Sequence, residues 1–238
     1  LRDFWKGVDL SNPEHRAHML ALYDSSVAFS DHLFSVVRRI FEDEGAWDEA
    51  IVVFTSDHGE EFNEHGGREH GRLFVEQLHV PLIVKLERQA SVAPRRVPLA
   101  VRTMDLLPTL LAHLGIEVPR PIQGVSFMPL LGGPGSYDPP IVSYGGRAGE
   151  WLRLEAQGAS FADDGEQAPR LFDLAADPAE QRDLATADPT RAARLAEAAA
   201  GVRSADEAFR ARIDATGQDA PAIDPVLVEV LRSLGYLK

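Results

Sequence analysis

Cysteine is absent from this 238-residue chain, which excludes a disulfide framework, a thiolate metal site and a cysteine nucleophile within these residues. The same absence leaves the redox compartment unreadable. Positive charge is scarce: 24 Lys and Arg face 37 Asp and Glu, a formal net charge of -13, so no nucleic-acid partner is expected. No apolar run reaches the roughly 18 residues that crossing a bilayer takes, so no transmembrane segment is expected in this chain. Residue 1 is leucine and no charged-then-apolar leader follows it, which points to a fragment or a processed piece. What the chain does have is 45% hydrophobic residues, enough to build a core.

Residues 11–14, "SNPE", place a serine three positions before a glutamate with proline between them, a capping-box start for a helix. Met19, Leu22, Tyr23, Val27, Phe29, Leu33, Phe34, Val37, Ile40 and Phe41 then recur at spacings of mostly three and four, which predicts a long amphipathic helix ending at Gly45 and covering a sheet. Its aromatic residues read as core. "AIVVF" at 50–54 and "VPLIVKL" at 80–86 are β-branched runs of the kind found in strands buried on both faces, giving an α/β core. A short helix over 101–115 is expected, with Thr103 as candidate cap and Gly115 as its stop. The Gly- and Pro-rich "LLGGPGSYDPP" at 130–140 marks a boundary, dividing the chain into a first domain at 1–132 and a small subdomain at 133–238. In the latter, 140–146, 150–156 and 169–175 predict a small antiparallel sheet, with a Gly/Asp-rich turn around 158–165. An alanine-rich helix over 185–213 and an amphipathic one over 224–238 complete it.

The chemistry concentrates in "IVVFTSDHGEEFNEHGGREHG", 51–71, where a strand runs into Asp57, His58, Glu60, Glu61, Glu64, His65, Glu69 and His70. So many titratable groups call for a counter-charge or for open solvent. Ligands of open α/β sheets bind beyond the carboxyl ends of strands, which is where "TSDHG" falls. Asp57 offers a hard oxygen and His58 an imidazole nitrogen, a mixed set suited to Ca2+, Mn2+ or Zn2+. Gly66, Gly67 and Gly71 free the backbone to return His65 and His70 towards the metal, where His70 would act on a bound anion. Spacing alone leaves a metal site and a solvated acidic loop both open, since this is neither the helical two-histidine zinc motif nor a phosphate-cradling glycine loop.

Glu60 and Glu61 are adjacent and more naturally point to solvent; His65 stands open between a loop-structuring group and a ligand, and is left out of the core ligand set. His79 is expected to satisfy a backbone group at a strand entrance, Asp105 to start a helix, and His15, His18, His32 and His113 to be surface or satisfied helix residues.

"VVFTSDHGEEFNEHGGREHGRLFVEQLHVPLIV" at 52–84 resembles the sulfatase family of the alkaline phosphatase-like superfamily. So do "ALYDSSVAFSDHLFSVV" before it, "MDLLPTLLAHLGIEVPRPIQGVSFMPLLGG" after it and "LFDLAADPAEQRDLA" at 171–185, while "LRSLGYL" resembles a common ending of bacterial members. The resemblance implies the C-terminal portion of a sulfatase fold: an alkaline phosphatase-like α/β mixed sheet flanked by helices, in part, with a small C-terminal antiparallel subdomain. It implies Asp57 and His58 as metal ligands, for Ca2+ in a sulfatase and for Mn2+ or Zn2+ in relatives acting on phosphorus. His70 stands where many members carry a lysine that contacts the sulfate group. The family's formylglycine nucleophile arises from Cys/Ser-x-Pro-x-Arg in the N-terminal half, and neither that motif nor its accompanying Asp-Asp, Lys and His set has a counterpart here, so this chain alone is expected to be inactive. The implied substrate is a sulfate ester, small molecule or glycan, and the implied location periplasmic or secreted. A phosphoester or phosphonate hydrolase or phosphotransferase of the same superfamily, and a non-catalytic binding protein retaining the fold, are the alternatives.

Overall fold

A computed structural model of the chain describes residues 6–133, 135–146, 149–165 and 167–215. It opens on helix α1, Pro13–Asp43. The cap is Asn12 rather than Ser11: the Asn12 side chain accepts from the Glu14 amide at 2.9 Å, while Ser11 turns back to Asp9. Pro13 then fills the first helical position, where no amide is needed. Gly45, at φ 68°, follows the helix as expected.

Strands β1, Val52–Thr55, and β4, Leu82–Lys85, pair antiparallel with Val53 opposite Val84. Between them lie the two-residue strands β2, Glu61–Phe62, and β3, Arg68–Glu69, and the single turn α2, Val75–Leu78. Helix α1 meets this layer through Phe34, edge-on to Phe54 at 5.6 Å, and through Met19 and Tyr23, which close over Phe62 with Leu10. The remainder of its apolar face stays in water: Phe29 is 61% exposed and Ile40 56%. Within this chain, therefore, the aromatics expected as core are only partly covered, because the two strands present are short against the helix. A 31-residue helix runs about 46 Å, against about 13 Å for a four-residue strand. The strands likewise are half-buried rather than covered on both faces, with Ile83 62% exposed.

After α2 and β4 comes α3, Leu106–His113, entered through a 3-10 turn at Thr103–Asp105 and closed by Gly115 at φ 66°. Thr103 makes no capping hydrogen bond. Asp105 instead is wholly buried and accepts from Arg102 (2.8 and 2.9 Å), from the Val125 amide (2.7 Å) and from the Tyr137 hydroxyl, tying 102–109 to the segment before and after α4, Met128–Gly132. Burial alone would raise the Asp105 carboxyl; the bonds from Arg102, Tyr137 and Val125 outweigh it and hold it below the ordinary aspartate value. Burial and then Asp105 push the Tyr137 hydroxyl up to about 12.

A pH dependence follows from that tyrosine. Its folded value lies above the unfolded one, near 10, so its contribution is fully present below pH about 10 and fades as the pH rises towards about 12. Tyr137→Phe is therefore expected to be less stable than the parent by about 1–2 kcal/mol at neutral pH, with the gap closing across that alkaline window. Denaturant midpoints at neutral pH and within that alkaline window measure it; a gap that does not change with pH would show that folding leaves the ionisation of the hydroxyl unperturbed.

The second sheet is a four-stranded antiparallel meander, β5 Ile141–Gly145, β6 Trp151–Ala156, β7 Ala159–Asp163 and β8 Arg170–Asp173, in that order. Strand β7 falls where the sequence predicts only a turn. The reversal is tighter than expected: Gln157 and Gly158 take φ 52° and 72°, the two-residue hairpin geometry that matches strand twist. Leu152, Leu154, Phe161, Leu171 and Phe172 are buried here and form the core. Helix α5, Pro189–Ala215, is clipped to this sheet by Arg191, which donates to Asp173 and to the Gln157 carbonyl. The chain divides into two compact units within that helix, Leu1–Ala199 and Ala200–Lys238. In the second, Arg212 lies over the Phe209 ring. Among the described residues no helix is long and apolar enough to cross a membrane; the helix predicted at 224–238 lies outside them.

Candidate active site and metal centre

Strand β1 ends at Thr55, and Asp57 and His58 follow directly. His58 sits with Nδ1 2.8 Å from the Gly59 carbonyl oxygen, which can only accept, so Nδ1 carries the proton and Nε2 presents a lone pair. That Nε2 is 3.6 Å from Asp57 Oδ2, and the Asp57 carboxylate is largely exposed. Two donors so placed, one oxygen and one nitrogen, suit a shared divalent cation, and a carbonyl behind the histidine is the usual device for orienting such a ligand.

The other partners come from the same loop. His70 stacks on His58 with ring centroids 3.8 Å apart, and its Nδ1 lies 3.5 Å from Glu60 Oε2. Ligand atoms of His58, Glu60 and His70 fall within 4.8 Å of one another. Glu60 Oε1 is buried without a hydrogen-bond partner. A buried, unsatisfied carboxylate oxygen is costly beside anything but a cation, so the donor set fits a divalent metal. Glu60, expected to face solvent, belongs to this cluster.

Return of the loop is less uniform than the glycine spacing predicts. Asn63 and Glu69 as well as Gly66 and Gly71 take positive φ, and His70 alone comes to the Asp57–His58 corner. His65 turns the other way: it stacks flat on Phe74 at 3.7 Å, its Nδ1 2.8 Å from Glu76 and its Nε2 3.0 Å from the Glu180 carbonyl. These contacts tie the loop to α2 and to the Glu180 backbone.

Beneath the loop lies a buried polar framework that sequence reasoning missed. Glu61, wholly buried, accepts from Arg72, from Gln77 Nε2 at 2.9 Å and from the amides of His65 and Gly67. Glu61, His65 and Glu76 could by spacing hold a second metal, but the Arg72 guanidinium already supplies the positive charge. Glu180, buried as well, accepts from Arg153 at 2.6 and 2.7 Å, from Ser160 and from the Val75 amide at 2.9 Å, joining the four-stranded sheet to α2. Gly59 has a structural reason of its own: a Cβ there would overlap the Glu76 carbonyl oxygen. Of the histidines read as structural, His15 accepts from the Asp9 amide and His113 pairs with Glu87, whose carboxyl is held low by that bond.

Residues 4–116 match the family model described as Sulfatase. Arylsulfatase K of Xenopus laevis is 30% identical over 190 residues, 72% of this chain and 34% of its own length. Among solved structures, a 2-O GAG sulfatase superposes with a TM-score of 0.69 at 25% identity, over 90% of this chain and 48% of that one. The phosphonate monoester hydrolase of Agrobacterium radiobacter superposes at 0.67 with 24% identity, over 84% and 43%. The chain thus spans about a third of the length of that curated relative. With an alkaline phosphatase-like α/β fold and a small antiparallel sheet near the C-terminus, the chain carries a sulfatase-family domain over residues 4–116.

Proposed function

We propose that this chain is the C-terminal portion of a metal-dependent sulfatase, a hydrolase of sulfate monoesters whose formylglycine nucleophile is contributed by residues outside it. The observation that carries the reading is the corner after β1, where Asp57 Oδ2 and His58 Nε2 stand 3.6 Å apart with His70 stacked on His58. Asp57 and His58 would hold the divalent cation, Ca2+ by family habit, with the Glu60 oxygen beside them. When bound, the metal supplies Lewis-acid polarisation and neutralises charge on the transferring group.

The work of this chain's own residues is orientation. The Gly59 carbonyl fixes the His58 tautomer, leaving Nε2 unprotonated for the metal. His70, half-exposed, faces the space where an anionic ester would sit and donates to its oxygens in place of the lysine of other members. One carboxylate-rich corner also sets a limit on substrate: an anion is bound only after the cation has reversed the local sign of charge.

A second reading keeps the residues and changes the substrate. The phosphonate monoester hydrolase that shares this fold favours it, with Mn2+ or Zn2+ at Asp57 and His58. The test is an assay of the full-length protein on 4-nitrophenyl sulfate and on a phenylphosphonate monoester, with metal analysis of the purified protein. A higher kcat/KM on the sulfate with a stoichiometric divalent ion is the expected result. The reverse preference establishes the phosphonate reading, and a metal-free protein inert on both would leave only a binding role.

A further inference from the structure

Gln77 is 2% exposed, and its polar atoms serve the segment carrying the two site histidines. Its backbone carbonyl accepts from the Gly59 amide at 2.8 Å, one residue after His58. Its side-chain Oε1 accepts from the amides of Gly71 and Arg72, both at 2.8 Å, the two residues after His70. Its Nε2 donates to the buried Glu61 carboxylate at 2.9 Å. Both flanks of the loop are therefore pinned to one residue.

His70 needs such a restraint. Its side chain is 51% exposed and its nearest charged partner, Glu60, is 3.5 Å away, so the ring is placed by its backbone more than by its own bonds. We propose that Gln77 is a positioning residue that sets the His70 ring against His58 and so aims it at the bound anion. This rests on the anion-contacting role of His70 given above. Glutamine is the side chain that meets both demands, an acceptor for two amides and a donor to a buried carboxylate. Methionine would leave two amides without an acceptor, and glutamate would set a second negative charge against Glu61.

A double-mutant cycle in the full-length enzyme tests it, with aryl sulfate turnover compared in the parent, Gln77→Met, His70→Ala and the double variant. Gln77→Met is expected to lower kcat/KM by about 10- to 100-fold in the parent background and by less than about 2-fold once His70 is gone. Equal losses in both backgrounds would overturn the inference while leaving His70 its role. A His70→Ala enzyme as active as the parent would remove that role, and the positioning inference with it. Selectively labelled histidine NMR of the metal-free protein gives a readout independent of turnover: the His58–His70 ring cross-peak is present in the parent and lost in Gln77→Met, and its persistence would overturn the proposal. Should Gln77→Met fail to fold, Gln77→Asn, which draws the acceptor one methylene back from the Gly71 and Arg72 amides without adding charge, goes through the same cycle with the same expected non-additivity and the same outcomes for and against.

Discussion

Replacing Glu180 with alanine is expected to destabilise the protein by about 3–5 kcal/mol, the largest stability effect of any single change discussed here. The carboxylate takes Arg153 Nη1, Ser160 and the Val75 amide, all in a region with almost no access to water. Its removal strands a buried guanidinium that, among the described residues, keeps Glu155 and the Leu73 carbonyl, and leaves Val75 at the head of α2 without its acceptor. Much of the cost is the desolvated positive charge rather than the lost attraction. The double variant Arg153→Met with Glu180→Leu should accordingly recover most of the loss, since a well-packed apolar pair of similar volume replaces a buried ion pair at little net cost. Denaturant unfolding with an unchanged slope measures both. A Glu180→Ala midpoint within about 1 kcal/mol of the parent would show that water reaches Arg153 and that the sheet is not fastened to α2 in this way.

Asp57→Ala is expected to abolish metal retention and to lower kcat/KM by at least about a thousandfold, because Lewis-acid stabilisation worth several kcal/mol is lost and each 1.36 kcal/mol is about tenfold in rate. Stability should barely move, since Asp57 is a largely exposed side chain. That contrast separates this variant from Glu180→Ala, where folding suffers first. His58→Ala is less informative, because it removes both a ligand and the ring on which His70 stacks. An Asp57→Ala protein that holds stoichiometric metal would move the cation to Glu60 and the two histidines, and the corner after β1 would have to be reassigned.

The parts of the fold legible in the sequence were those written in local pattern. The helix α1 repeats with one apolar face, "IVVF" and "LIVK" are β-branched runs, and Gly45 and Gly115 stop helices at positive φ. Asp57 and His58 could be singled out because they follow a strand. Strand β7 escaped because Ala159–Asp163 is short and small-residued, and its identity comes from pairing with β6 and β8 on either side. The buried polar framework escaped for a different reason. Glu61, Arg72 and Gln77 read one at a time are ordinary surface residues, and Arg153 lies 27 positions before Glu180. Burial of a charge is a property of a pair, and no window along the chain contains the pair. Adjacent Glu60 and Glu61 illustrate it: both looked solvent-facing, yet one oxygen of Glu60 is buried without a partner and Glu61 sits at the centre of the framework.

The uncovered face of α1 has a practical consequence at the bench. Val27, Phe29, Leu33, Val37 and Ile40 are each about half or more exposed along one helix, and apolar side chains gathered on one face favour self-association. Preparations of this chain in isolation should therefore change with concentration, salt and detergent. Sedimentation and dye binding across a dilution series belong before any titration or kinetic trace taken on it.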